Sequence, residues 1–100
     1  MAERSVVYWR DIPAQVVVRA GRRRASRELP ARFIAAIDAC AMRHGLKDGD
    51  AYLAEWRRGA PEPCADDIDL VLDQTVAALD RDYPAERLGE LIARGGLLDA

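Results

Sequence analysis

At Pro30 the hydrophobic pattern of the chain changes period, and that switch constrains the fold more than any other feature. Before it, β-branched and aromatic residues form short runs bounded by Pro13 and by Ala20-Gly21; after it, apolar residues recur at steps of three and four. Side chains alternate across a strand with a period of two and return to one helix face with a period near 3.6, so the strands are segregated from the helices along the chain. That order predicts an α+β layer arrangement: an N-terminal three-stranded antiparallel meander followed by about four helices packed on one face.

The strands are expected over residues 5–12, 15–19 and 23–29, with glycine at position 21 supplying the turn between the last two. In the first strand Val6, Tyr8 and Ile12 point one way and Val7 and Trp9 the other. Apolar groups on both faces mark a strand that is central or meets a partner. Pro30 suits the first turn of a helix over residues 31–44, in which Phe33, Ile34, Ile37, Cys40 and Ala41 share a face before Gly45 ends it. A shorter helix follows, capped by Asp48 or Asp50, carrying Tyr52, Leu53 and Trp56 on one side and closed by Gly59. Two prolines between Gly59 and Cys64 make residues 59–65 a connection. In the third helix Ile68, Leu72, Thr75, Val76, Leu79 and Tyr83 keep helical spacing, and Pro84 opens a fourth with Leu88, Leu91 and Ile92, stopped by Gly95-Gly96. Residues 1–100 therefore read as one domain: a meander over 5–29, two helices over 30–58, the connection, and two acidic helices over 66–95.

Charge is divided unevenly. Residues 1–60 hold twelve Arg or Lys against seven Asp or Glu, whereas residues 61–100 hold three against ten. Three of those acids, Asp66, Asp67 and Asp69, crowd the start of the third helix, where the positive end of the helix dipole favours them. The longest apolar run, Phe33–Ile37, is far short of the roughly 20 residues that cross a bilayer. The amino terminus has no basic start followed by an apolar stretch and a small-residue cleavage site, which predicts a cytoplasmic protein and reduced Cys40 and Cys64.

The stock for catalysis is thin: Ser5, Ser26, Thr75, two cysteines and the single His44. Cys40 and His44 are four apart on one helix and Cys64 could join them on a metal, but three ligands without a recognised spacing argue weakly, and imidazole is at home at a helix end. Asp66, Asp67, Asp69 and Asp73 read as a solvated face, and Gly95-Gly96 has no helix after it to cradle a phosphate. The expectation is a protein without catalytic residues, metal or cofactor.

The sharpest local feature is Arg19-Ala-Gly-Arg-Arg-Arg-Ala-Ser-Arg27, five arginines in nine residues around a hairpin turn. Guanidinium forks bind phosphates, and a basic ribbon can enter a major groove, so nucleic acid is one reading. No aromatic residue interleaves with those arginines to stack on bases, and a sequence pI near 5.3 opposes a general nucleic-acid binder. A solvated edge hairpin or a protein partner is favoured, and the acidic third helix is an internal candidate to meet it. Trp9 and Trp56 read first as core and second as interface residues. The contact surface expected here comprises Arg19, Arg22, Arg23, Arg24 and Arg27 with Trp9, Arg10 and Asp11 beside them.

Three stretches, Tyr8-Trp-Arg-Asp-Ile-Pro-Ala-Gln15, Ala41-Met-Arg-His-Gly-Leu46 and Asp50-Ala-Tyr-Leu-Ala-Glu-Trp-Arg57, together with the arginine hairpin, resemble the small bacterial "virulence factor" domain family over residues 6 to about 95. In larger relatives a similar domain accompanies helical repeats. Stand-alone members tend to be encoded near genes for corrinoid- and folate-dependent methyl transfer. The resemblance implies no catalytic residue; it implies an accessory protein whose partner is a methyltransferase or corrinoid protein.

Overall fold

The computed structural model describes residues 2–46 and 49–98. Its elements run β1(Ala2–Trp9), β2(Ile12–Ala20), β3(Arg23–Glu28), α1(Ala31–Arg43), α2(Gly49–Ala54), β4(Trp56–Arg58), β5(Glu62–Cys64), α3(Ile68–Asp82) and α4(Ala85–Ala93). The class is α+β as expected, but among the described residues the sheet has five strands, ordered β3-β2-β1-β4 with β5 also on β1, all antiparallel.

The first strand does not run to Ile12. It stops at Trp9, and Arg10-Asp11 forms a two-residue loop in which Arg10 takes a φ of 55°. Left-handed backbone is costly for a side chain with a Cβ, so Arg carries no turn signal; tertiary bonds hold the loop, with Arg10 N–H donating to Glu55 O at 3.0 Å and Asp11 N–H to Gly96 O at 2.7 Å. Pro13 therefore lies inside β2 and not between strands. It is tolerated there because a bulge follows Tyr8↔Pro13 and the β2–β3 ladder reaches only Gln15↔Glu28, so the missing N–H deprives no neighbour of a bond.

Trp56 belongs to β4 opposite Trp9, so the second helix ends at Ala54 and not at Gly59. Part of the proline-rich connection is also strand: Glu62–Cys64 pairs with Ala2–Arg4. Pro63 survives because β5 is an edge with one ladder to serve. Asp48 lies outside the described residues; Asp50 sits in the first turn of α2.

Register places Val16, Val18 and Ala25 on the sheet face that α1, α3 and α4 cover, where they pack with Phe33, Ile37, Leu72 and Leu91. Arg4 reaches the same face, its guanidinium 3.4 Å from Thr75 Oγ1, while Thr75 donates to Val71 O at 2.7 Å. Asp67 caps α3 by accepting from the Leu70 N–H at 3.2 Å. The opposite face, carrying Ser5, Val17, Arg19, Arg24 and Ser26, has no helix over it.

Three titratable groups sit in this scaffold with raised pKa values: Tyr8 by burial and the nearby Tyr83, Cys40 by burial, and Tyr52 by burial and the nearby Asp38. Each keeps its proton in the folded chain at a pH where the unfolded chain has released it, so the folded state binds more protons and stability falls as pH rises. Melting temperature is expected to hold up to about pH 9 and then decline through the alkaline range, read by circular dichroism. A rise in melting temperature over that range would contradict the burial of these groups.

Candidate functional site

The β2–β3 hairpin projects its turn from the sheet end opposite the Arg10-Asp11 loop. Gly21 supplies a φ of 63° at the turn, and Ala20 pairs with Arg23 across it. One row inward Arg19 stands directly opposite Arg24 on the helix-free face. Like charges placed so are unfavourable and gain most from an anion brought between them. Arg19, Arg22, Arg23 and Arg24 are all exposed. Among the described residues none of the four has an ion-pair partner.

Arg27 differs. It points to the helix-covered face and pairs with Asp73 of α3. The acidic third helix thus meets the hairpin through one arginine and leaves the other four. One cation that sequence reasoning did not single out joins them: Arg58 of β4, opposite Val7, lines with Arg19, Ser5 and Val17 a shallow concavity of about 190 Å³ on the helix-free face. Glu3 also lines it, opposite Arg19. No sequence signal marks Arg58, because β4 exists only through its pairing with β1.

Trp9, Arg10 and Asp11 do not neighbour this tip. They lie at the far end of β1, about 25 Å away at some 3.3 Å per residue. Trp9 is fully buried and donates its indole N–H to Tyr52 O at 3.0 Å. The Arg10 guanidinium donates to Gly95 O at 2.6 Å, lies over the Trp9 ring and forms an ion pair with Glu55, its Nε 3.3 Å from Oε2. Asp11 accepts from the Leu98 N–H at 2.7 Å and from Arg57 at 2.9 Å. These residues form a socket for the end of the chain: Gly95 and Gly96, at φ 74° and 81°, close α4 with Gly96 N–H donating to Leu91 O at 2.7 Å, and pack against Trp9 and Arg10. The expectation that they share a contact surface with the arginines is corrected by this geometry.

Cys40 of α1 and His44, which caps that helix, both turn to one acceptor, Ile92 O, at 3.9 and 2.8 Å. Cys64 is at the other end of β1, opposite Ala2. Among the described residues no group of three or more His, Cys, Asp or Glu side chains could hold a metal ion together. Among the described residues no helix is long and apolar enough to cross a membrane.

The fold and this surface define a small α+β domain with a solvated cationic hairpin tip. The chain belongs to the virulence factor family, whose model matches residues 7–92. That span contains the Trp9-Arg10-Asp11 loop, the arginine hairpin, α3 and all but the last residue of α4. No curated protein and no solved structure gives a significant match to the chain.

Proposed function

We propose that the protein is a non-enzymatic accessory module that binds an acidic surface of another protein through the hairpin tip, with Arg19, Arg22, Arg23 and Arg24 as the principal contacts and Arg58 extending them. The carrying observation is that four exposed arginines cluster at one sheet end without an ion-pair partner among the described residues, whereas Arg4, Arg10, Arg27, Arg32 and Arg57 are matched to carboxylates and the other unpaired arginines, Arg43, Arg58, Arg81, Arg87 and Arg94, are spread over separate elements. Selection for a soluble surface alone would be served by mixed charges; a concentrated single-sign patch speeds and orients association with an opposite one. A methyltransferase or corrinoid protein as that partner rests on the family resemblance.

Affinity purification from native cells is to be compared between the wild type and R22E/R23E/R24E. All three side chains are exposed, so the variant should fold and melt as the wild type does, and the expected result is loss of the specific partner. Identical partner sets would remove the hairpin from the account. Titration of duplex DNA and of RNA at two salt concentrations separates the other reading: phosphate-driven binding must weaken steeply with salt, and tight, steeply salt-dependent binding would replace the protein partner with nucleic acid.

A further inference from the structure

A second surface lies away from the hairpin, along the outer side of α1. Three residues spaced by four, Ile34, Asp38 and Met42, face solvent there; Ile34 is 46% and Met42 66% exposed. Two concavities adjoin them, one lined by Ile34 and the other by Asp38 and Met42. One, of about 380 Å³, is lined by Leu29, Ala31, Ile34 and Trp56 together with Ala14, Gln15 and Glu28 of the sheet. The other, of about 370 Å³, is walled by Ala41, Met42 and Tyr52, with Asp38 at its margin. One turn of helix separates Ile34 from Asp38, and the facing wall is continuous because Tyr52 and Trp56 meet edge to face at 6.0 Å. The wall is anchored: Tyr52 also packs on buried Trp9 at 5.7 Å and accepts its indole N–H. A groove built this way is preformed and loses little freedom when filled.

Its charge identifies the occupant. The chain carries fifteen basic residues, yet the charged side chains among the described residues lining the two concavities are Glu28 and Asp38, both acidic. A second copy docked face to face about a two-fold axis would bring Asp38 toward Asp38, which disfavours self-association through this surface. We propose that the groove docks a basic amphipathic helix of a partner protein, with one large apolar anchor in the Leu29–Ile34–Trp56 cavity, a second in the Ala41–Met42–Tyr52 cavity, and an arginine or lysine between them over Asp38. From Ile34 to Met42 the helix rises about 12 Å, which matches anchors two turns apart on the docked helix, the i and i+7 positions of helix-in-groove recognition.

The probe is a fluorescein-labelled amphipathic peptide with leucine anchors at that i, i+7 spacing and arginine midway, beside a twin with glutamate at the middle position. The arginine peptide should bind the wild type by fluorescence anisotropy and the glutamate twin at least about tenfold more weakly. Asp38→Lys should invert that preference, and Ile34→Ser should weaken both peptides. Asp38 and Ile34 are exposed, so unchanged melting curves establish that the variants fold. The R22E/R23E/R24E variant should bind the arginine peptide as the wild type does, which separates this groove from the hairpin. Equal binding of the two peptides, an affinity indifferent to Asp38→Lys, or absence of binding would overturn the proposal. So would a wild-type dimer by sedimentation that Ile34→Ser dissociates, since a second copy would then be the occupant.

Discussion

Trp9→Ala should lower the melting temperature by at least about 12 °C, and it is the most damaging single substitution expected in this chain. Large-to-small changes at a buried tryptophan cost about 3–5 kcal/mol, and in a domain of this length each kcal/mol moves the midpoint by about 4–8 °C. Trp9 is fully buried in the core, opposite Ile12 in the β1–β2 ladder, and supports three separate features: the Tyr52 wall, the Arg10 guanidinium and the Gly96 backbone. Its removal also takes from Tyr52 O the closer of its two donors, leaving only the Glu55 N–H at 3.3 Å. Trp9→Phe, which keeps most of the volume and loses that bond, should fall between the two. Thermal denaturation followed by circular dichroism measures all three, and a midpoint for Trp9→Ala within a few degrees of wild type would contradict the packing described.

Gly96→Ala should be nearly as harmful although it adds one methyl group. At φ 81° the backbone disfavours any L side chain by about 1–2 kcal/mol. A Cβ there would also stand 3.3 Å from Trp9 Cζ3 and 3.4 Å from Arg10 Cβ and Cδ, so the ring or the loop must shift, at a further cost of about 1–3 kcal/mol. Gly21→Ala isolates the first part. Gly21 has a φ of 63°, but a methyl group added to it would meet nothing within 4 Å, so only the backbone cost of about 1 kcal/mol applies. Equilibrium urea unfolding of the two variants should separate them clearly, with Gly96→Ala the less stable. Equal losses would mean that the chain end does not pack on the Trp9-Arg10 loop.

The elements that a local pattern specifies are legible in the residues themselves. Pro30 and Gly45 bracket α1, Asp67 and Pro84 bracket α3, and the Ala20-Gly21 turn marks the arginine hairpin. What escapes has a common cause. Trp56–Arg58 and Glu62–Cys64 are too short to carry a period and become strands only by pairing with the two halves of β1, about fifty residues away for the first and about sixty for the second. The Arg10-Asp11 loop escapes because its left-handed residue is an arginine, held by Glu55 and Gly96 and not by local chemistry. The same distance effect divides the candidate site. Four of the arginines can be read from composition around a turn, whereas Arg58 cannot, and Trp9, Arg10 and Asp11 lie near the hairpin in sequence while antiparallel pairing sends them to the other end of the sheet. The Tyr8–Gln15 stretch that marks the family is, in this fold, the socket that receives the end of the chain.

The claim that the hairpin tip is the surface by which this domain is held is tested most directly by site-specific photo-crosslinking in native cells. A photoreactive phenylalanine analogue is placed at position 23, in the cationic tip, or at position 86, an exposed position on α4. A discrete protein adduct from position 23, absent from position 86 and lost when Arg22 and Arg24 are changed to glutamate, is the expected result. No adduct at position 23, or the same adducts from both positions, would contradict it.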